Sequence, residues 1–336
     1  MRKIVYNNIM SDIDRIKAII SANEIVPTRS LGQNFLADET QILRIVRLLD
    51  PGPEDMIIEV GPGTGSLTEH ITGKCHSLSL IEIDRHLIPL LRTRFSGIEG
   101  VRIIHADAMK LELSDIILTD RPIMKKAART KLISNVPYYI TTPLINRFVS
   151  TVPSFDRIVV TVQTEAAERI MSKPGDEGYG ILPVLASLMY EVRIADKIPA
   201  HCFYPQPGVE SSVMVLDRKT SVLLDKAEKE GFIRFLKTAF GHRRKQLVKV
   251  LRVADGGVKD YTFINEYLVH LGYSVSARAQ EITPEDLYRV FQKYFKPDPD
   301  KDHATDDLRT AAYPGAQFSA KNYTESGKDE GYDTDE

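Results

Sequence analysis

Two short segments of this chain of 336 residues carry the residue types needed to hold a nucleotide and a reacting amine. The first is Gly61-Pro62-Gly63-Thr64-Gly65, placed between the apolar run Met56–Val60 and the helix-like Ser66-Leu67-Thr68-Glu69-His70-Ile71. A strand, a glycine turn and a helix start suit a nucleotide. The glycines admit a ligand to the backbone, and the helix start offers N–H groups without intrahelical partners. The alternative is a turn that needs glycine only for its own conformation. A dinucleotide fingerprint would place its third glycine at Ser66, and a P-loop would need Gly-Lys-Ser/Thr, which is absent. Glu82 ends the next apolar run, 21 residues after Gly61. A carboxylate there can accept hydrogen bonds from both hydroxyls of a ribose, a device that NAD enzymes share. Asp84 is expected to be exposed or a helix cap. Asp107 follows the third run. It either accepts from the exocyclic amine of an adenine or caps the following helix. The second segment is Asn135-Val136-Pro137-Tyr138-Tyr139, at the carboxyl edge of a central strand, where ligands bind in open α/β sheets. As a bare turn it would use Pro137 as a breaker and Thr141 or Thr142 as an N-cap.

Both segments resemble motifs of S-adenosylmethionine-dependent methyltransferases. The G-x-G-x-G turn is similar to their first motif, and Asn135–Tyr138 resembles the (Asn/Asp/Ser)-Pro-Pro-Tyr type that modifies exocyclic amines of bases. The chemistry accounts for the residue types. An adenine N6 lone pair is delocalised into the ring and is a poor nucleophile. The Asn135 oxygen and a backbone carbonyl beside Pro137 can accept both amine hydrogens, which favours a pyramidal nitrogen with a directed lone pair. Proline fixes that carbonyl by locking φ. Tyr138 offers a face for an unstacked base. No strong general base is required; positioning and electrostatics against an activated sulfonium carry the step.

The elements that must position these residues are legible as patterns. MIIEV (56–60), LSLIEI (78–83), VRIIHA (101–106), KLISN (131–135) and RIVVTV (157–162) read as buried strands with helices between most of them. That rhythm implies a parallel, doubly wound sheet. VRIADKI (192–198) and SSVMVLD (211–217) read as a final strand pair, and helical period takes over after Arg218. The expected organisation is an N-terminal extension 1–27 with an amphipathic helix, a methyltransferase domain 28–218, a helical domain 219–296 and a disordered acidic tail 297–336. The chain has 44 basic and 46 acidic side chains; the tail holds 4 and 11 of them, leaving 40 and 35, a mildly basic body. No run reaches the length of a membrane span, and no secretory pattern opens the chain. Two cysteines, Cys75 and Cys202, exclude a disulfide scaffold and a cysteine-rich zinc site, and fit a reducing cytoplasm. The histidines show no metal-ligand spacing.

The ordered series Leu31–Leu36, Glu59–Gly65, Glu82-Ile83-Asp84, Asp107-Ala108, Asn135–Tyr138, Gln163–Arg169, Phe203–Ser211, Phe240–Lys245 and Arg278–Glu281 resembles the rRNA adenine N6,N6-dimethyltransferase family, bacterial KsgA/RsmA type. The resemblance implies a Rossmann-like α/β methyltransferase sheet with an antiparallel last strand and a small all-helical C-terminal domain. It implies that Asn34 and Leu36 cover the methionine part of S-adenosyl-L-methionine, and that Gly61, Gly63, Glu82, Asp107 and Asn135 contact the cofactor. Asn135, Pro137 and Tyr138 are then the catalytic group, with Phe203 as a second aromatic wall for the target base. Arg243, Arg244 and Lys245 form the compact basic run expected to meet phosphates. A longer basic stretch, from Asp120 to Lys131 with Lys125, Lys126 and Arg129, reads as a solvated loop or an RNA contact. The partner implied is small-subunit (16S) rRNA in an assembling ribosomal subunit, for a cytoplasmic, monomeric, metal-free enzyme that dimethylates two adjacent adenines. The alternatives are a large-subunit rRNA dimethyltransferase of the macrolide-resistance type and a non-catalytic RNA-binding assembly factor. Tyr139-Ile140-Thr141-Thr142-Pro143 and the long helical C-terminal part favour the first reading.

Overall fold

The computed structural model describes residues 11–28, 32–120, 129–220, 224–254 and 261–294. Among them are nine strands: β1 Phe35–Leu36, β2 Met56–Val60, β3 Ser77–Glu82, β4 Val101–His105, β5 Thr130–Asn135, β6 Arg157–Gln163, β7 Tyr190–Ile198, β8 Phe203–Tyr204 and β9 Ser211–Arg218. The helices that matter to the site are α1 Asp12–Ala22, α2 Glu39–Leu49, α3 Thr68–Ile71, α4 Ile88–Phe95, α5 Leu113–Asp120, α6 Thr141–Ser150, α7 Thr164–Ile170 and α8 Ile181–Met189. Helices α9 Lys226–Phe240, α10 Leu247–Ala254, α11 Thr262–His270 and α12 Pro284–Tyr294 follow the last strand. The expectations for residues 1–10, for Lys125 and Lys126, and for the tail from 297 lie outside the described residues.

Seven strands form one sheet in the order β4-β3-β2-β5-β6-β9-β7. Strands β4, β3, β2, β5 and β6 are mutually parallel, as the alternating pattern predicts. β9 inserts between β6 and β7, antiparallel to both, so the last two strands pair as expected. β2 lies inside the sheet, between β3 and β5, with all five side chains buried. From it the chain winds outward to β3 and β4, then returns to β5 on the other side. That reversal opens a crevice at the carboxyl ends of β2 and β5. One strand departs from the sequence pattern. The run VRIIH predicts a buried strand, but β4 is an edge strand of partly exposed residues. Apolar runs at a sheet edge and at its centre look alike in sequence.

Two apolar clusters flank the sheet. One holds Ile42, Ile45, Leu49, Ile57, Leu80 and Leu91, from α2, α4 and one sheet face. The other joins Ile58, Leu132, Val160 and Met214 to α6 and α8, and continues into Phe232, Leu236, Leu287 and Phe291 of the C-terminal helices. The helical region therefore shares the core of the sheet, within a compact unit that extends to residue 295. The buried Lys229 amine of α9 links the two parts: it donates to the carbonyls of Val149 and Thr151 and to Ser154 Oγ at 3.0–3.3 Å.

Two further expectations are corrected. The apolar period predicts an N-terminal helix over 1 to 26, ending near Pro27; where described it runs from Asp12, capped by Ser11, to Ala22. Its Ile16 and Ile20 are buried, and Ile13 and Ile19 half-buried, on one side of the helix. Lys131 belongs to no solvated loop and no RNA contact. It lies within β5, is 1 % exposed, and pairs with Asp55 at 2.6 Å. Asp55 is fixed in turn by the backbone N–H groups of Gly52 and Arg129. Removing either partner of such a buried pair leaves an uncompensated charge, at a cost of about 3–5 kcal/mol.

Candidate active site

The site is built where β2, β3, β4 and β5 end together. A cavity of about 260 Å³ lies there, lined by Asn34, Gly61, Gly63, Glu82, Asp107, Asn135, Pro137 and Tyr138 among others. The structure thus gathers around one space eight of the residues that the sequence singles out.

The glycines serve different ends. Gly61, Gly63 and Gly65 all have positive φ, a region that side chains disfavour. A Cβ on Gly63 would lie 3.0 Å from the Phe35 ring, and one on Gly65 2.5 Å from the Phe95 ring. Gly61 has nothing within 4 Å of its missing Cβ, so its backbone faces open space. Gly61 and Gly63 line the cavity, whereas Gly65 answers to packing against α4.

Glu82 is buried at the end of β3. Its Oε1 accepts from the Asp84 backbone N–H at 2.8 Å and its Oε2 from that of Gly63 at 3.2 Å. Burial pushes this carboxyl up to about 7, against backbone hydrogen bonds from Asp84, Gly63 and Ile83 that favour the charged form. Each oxygen keeps a lone pair, and the residue lies on the cavity wall. A vicinal diol is the ligand group such an acceptor suits. Asp107 uses Oδ1 to hold the turn after β4, accepting from Met109 N–H at 2.8 Å. It therefore caps that turn and not α5, which starts six residues later at Leu113. Its Oδ2 lies 3.9 Å from the exposed Lys110 amine, a loose ion pair that leaves the oxygen open to a further donor. Asp84 is not exposed, contrary to one of the two expectations for it; it is buried, accepts from His86 N–H, and takes a 2.7 Å hydrogen bond from Gln33 Nε2.

That Gln33 bond is one of three ties on the segment 32–36, which roofs the cavity. The second is the β1–β8 pair, Phe35 opposite Tyr204 and Leu36 opposite Phe203. The third is Asn135 Nδ2 donating to the Asn34 carbonyl at 2.9 Å. A carbonyl only accepts, so the Asn135 amide must present its NH2 to the roof. Its Oδ1, and the Val136 carbonyl, make no hydrogen bond among the described residues. Two acceptors are thus left beside Pro137. Tyr138 fixes its ring through a 2.8 Å hydrogen bond between its hydroxyl and Ser211 Oγ. Thr141 is not an N-cap. It begins α6, and its hydroxyl donates back to the Tyr138 carbonyl at 3.2 Å.

Two of the expected contacts are not on the cavity wall. Leu36 is 3 % and Phe203 1 % exposed, both inside the apolar cluster behind the β1–β8 pair. Their side chains seat the roof and do not face the cavity. Sequence reasoning missed Tyr139 and Ile83, which do line it and remain 54 % and 45 % exposed. Large apolar groups left open beside a motif acid and a motif tyrosine are the signal for them.

The basic run divides. Arg243 is half-buried, donating to the Glu177 carbonyl at 2.8 Å and to Gln280 Oε1 at 3.4 Å. Arg244 and Lys245 are exposed and make no side-chain hydrogen bond or ion pair among the described residues. No metal-holding group of His, Cys, Asp and Glu occurs among the described residues, nor does a helix long and apolar enough to cross a membrane.

The model of the ribosomal RNA adenine dimethylase family matches residues 27–304. A ribosomal RNA small subunit methyltransferase A of Levilactobacillus brevis is 37 % identical over 237 residues, covering 69 % of this chain and 78 % of that protein. One of Ligilactobacillus salivarius is 36 % identical over 279 residues, covering 82 % and 93 %. Among solved structures, a dimethyladenosine transferase from Plasmodium falciparum superposes with a TM-score of 0.62 at 22 % identity, covering 77 % of this chain and 97 % of its own; that likeness bears on the fold alone.

Proposed function

The chain belongs to the ribosomal RNA adenine dimethylase family, and on that premise we propose that it methylates N6 of two adjacent adenines in small-subunit (16S) rRNA, in a hairpin near the 3′ end, giving N6,N6-dimethyladenosine. The methyl donor is S-adenosyl-L-methionine, which supplies a methyl group already activated on a sulfonium. The residues present fit it. Glu82 offers a buried acceptor for ribose hydroxyls, Asp107 an oxygen for an adenine amine, and Gly61 and Gly63 bare backbone beside the roof segment that carries Asn34.

The observation that carries the reading is the orientation of Asn135. With its NH2 tied to the Asn34 carbonyl, its Oδ1 and the Val136 carbonyl are two acceptors waiting beside Tyr138. A target amine has two hydrogens to give them. Held by both, its nitrogen loses conjugation with the ring and turns its lone pair outward. Tyr138, with its hydroxyl anchored on Ser211, presents a ring face to the base. The exposed Tyr139 gives a second aromatic surface at the mouth. Leu36 and Phe203 act through the roof, and we assign them no contact with substrate.

The proposed setting is an assembling small ribosomal subunit in the cytoplasm, with the enzyme working as a monomer and without a metal. Transfer of tritium from labelled S-adenosylmethionine to unmethylated 30S particles, with 50S precursors as the comparison, tests it. Label in 50S precursors alone would favour the large-subunit alternative; label in neither would leave an RNA-binding assembly factor.

The helical region 219–296 is proposed to meet RNA phosphates through Arg244 and Lys245. Replacing both with Ala should flatten the plot of log K against log salt by a slope of about 0.7–0.9 for each phosphate no longer neutralised. Arg243→Ala should leave the slope as it is, because its guanidinium is engaged with Glu177 and Gln280. A slope change from Arg243→Ala equal to that from Arg244→Ala would refute this division.

A further inference from the structure

The helix α1 lies before residue 27, where the match to the family begins. Its apolar residues join neither of the clusters that flank the sheet. Ile16 and Ile20, with Ile25, form a third, separate cluster with Phe35, Ala37, Leu87 and Leu90. Phe35 and Leu87 are cavity-lining residues, one in the roof and one ahead of α4. The buried face of α1 therefore rests on the outer side of two cavity walls.

Polar contacts fasten the helix at the same place. Asp12 Oδ2 accepts from the Glu39 backbone N–H at 3.0 Å, at the start of α2 just beyond the roof. Arg15 spans both oxygens of Glu69, at 3.1 and 3.2 Å. Glu69 also takes Arg94 Nη2 at 2.6 Å, and Arg94 Nη1 donates to the Thr64 carbonyl inside the glycine turn. Lys17 sits 5.6 Å above the ring of Tyr204, the β8 residue that pairs with Phe35. One face of α1 thus touches the roof, its strand partner and, through two side chains, the glycine turn.

We infer that α1 is a brace that holds the roof segment 32–36 and Leu87 in the form that binds the cofactor, a positioning element for S-adenosylmethionine and not for RNA. The inference rests on the cavity being the cofactor site. Fixing the walls before binding spares the ligand the cost of ordering them, so removal of the brace weakens binding without touching a ligand contact. Two observations separate this from a general stabilising role. The α1 cluster is disjoint from the two main cores, and no α1 residue lines the cavity.

The test uses the full chain carrying Ile16→Ala and Ile20→Ala together, with Ile20→Ala alone as a milder variant. S-adenosylhomocysteine is titrated by calorimetry, and methyl transfer is followed at saturating and limiting S-adenosylmethionine. The expected result is a dissociation constant at least about tenfold higher in the double variant, with a smaller shift in the same direction for Ile20→Ala. KM for S-adenosylmethionine should rise in parallel, while the single-turnover rate at saturation and the affinity for small-subunit particles stay within about threefold. Binding within twofold of the parent would overturn the inference. So would a loss of cooperative unfolding in both variants, since α1 would then belong to the main core. Failure of the parent chain itself to bind S-adenosylhomocysteine would instead refute the reading of the cavity.

Discussion

Asn135→Ala is expected to cut single-turnover methyl transfer by at least about a hundredfold, the loss seen when one preorganised polar group leaves an active site. The size follows from where the interaction is made. Asn135 Oδ1 has no protein partner among the described residues, so its acceptor capacity is available to the amine. Its hold strengthens as the nitrogen becomes pyramidal and its hydrogens more acidic, which places the stabilisation mainly in the transition state. An interaction of that kind lowers turnover more than affinity when removed. Affinity for small-subunit particles should barely change, because backbone phosphates supply most of it. The measurement must be made at saturating S-adenosylmethionine, since Asn135 Nδ2 also ties down the roof through the Asn34 carbonyl. Asn135→Asp separates the two roles. It keeps an acceptor for the amine but has no donor for the Asn34 carbonyl, so KM for the cofactor should rise together with a fall in rate. Tyr138→Ala should slow transfer as well and loosen capture of the base, by about 1–3 kcal/mol for a missing stacking surface. An Asn135→Ala enzyme within threefold of the parent would end the proposed mechanism.

The parts of this site that are legible in sequence share one property. Gly61, Glu82, Asp107 and Asn135 each close an apolar run, and parallel strands wound from a central one bring those closures to a single edge. Short-range pattern and the winding rule suffice for that. The roof is legible only in part. β1 and β8 are two residues each, too short to show a period, and they meet across more than 160 residues of chain. Nothing local marks Phe203 as a partner of Leu36, so their burial behind the β1–β8 pair is not legible in the sequence. The same limit applies to charge. Lys131 groups with its basic neighbours in sequence because its partner, Asp55, stands 76 positions earlier and faces it only once β2 and β5 are side by side. Arg243 groups with Arg244 and Lys245, although its hydrogen bonds reach residues 177 and 280. Side chains whose role depends on a distant partner are the ones a linear reading misplaces.

Glu82→Ala is expected to weaken S-adenosylhomocysteine binding by about 1.5–3 kcal/mol, the range for hydrogen bonds to a charged group. The free carboxyl is buried at the end of β3 and pushed up to about 7, so near neutral pH it is only partly ionised. A ribose donates through both hydroxyls and therefore binds the ionised form, which has acceptors on both oxygens. Binding must then lower the pKa of this group, and affinity must depend on pH. The sign is fixed by the upward shift. Well above a pH of about 7 the carboxylate is already formed and affinity is flat. Below it, binding must first expel a proton, and affinity falls, by at most about tenfold per pH unit. Calorimetry at about pH 8 and about pH 6, one unit to either side, measures the difference. Glu82→Gln is the decisive companion. Its amide keeps the volume and one acceptor, but its NH2 replaces an oxygen that accepts from the backbone N–H of either Gly63 or Asp84, so a donor meets a donor there. It should bind weakly at both pH values, with most of the pH dependence gone. Glu59, also pushed up to about 7 by burial, is the neighbouring group that could imitate the effect. It lies off the cavity wall, held by Thr68 Oγ1 at 2.7 Å, and the two carboxylates repel, so Glu59→Gln should keep the pH dependence and only move it toward lower pH. Equal affinity at the two pH values in the parent chain, or an undiminished pH dependence in Glu82→Gln, would show that Glu82 does not hold the ribose.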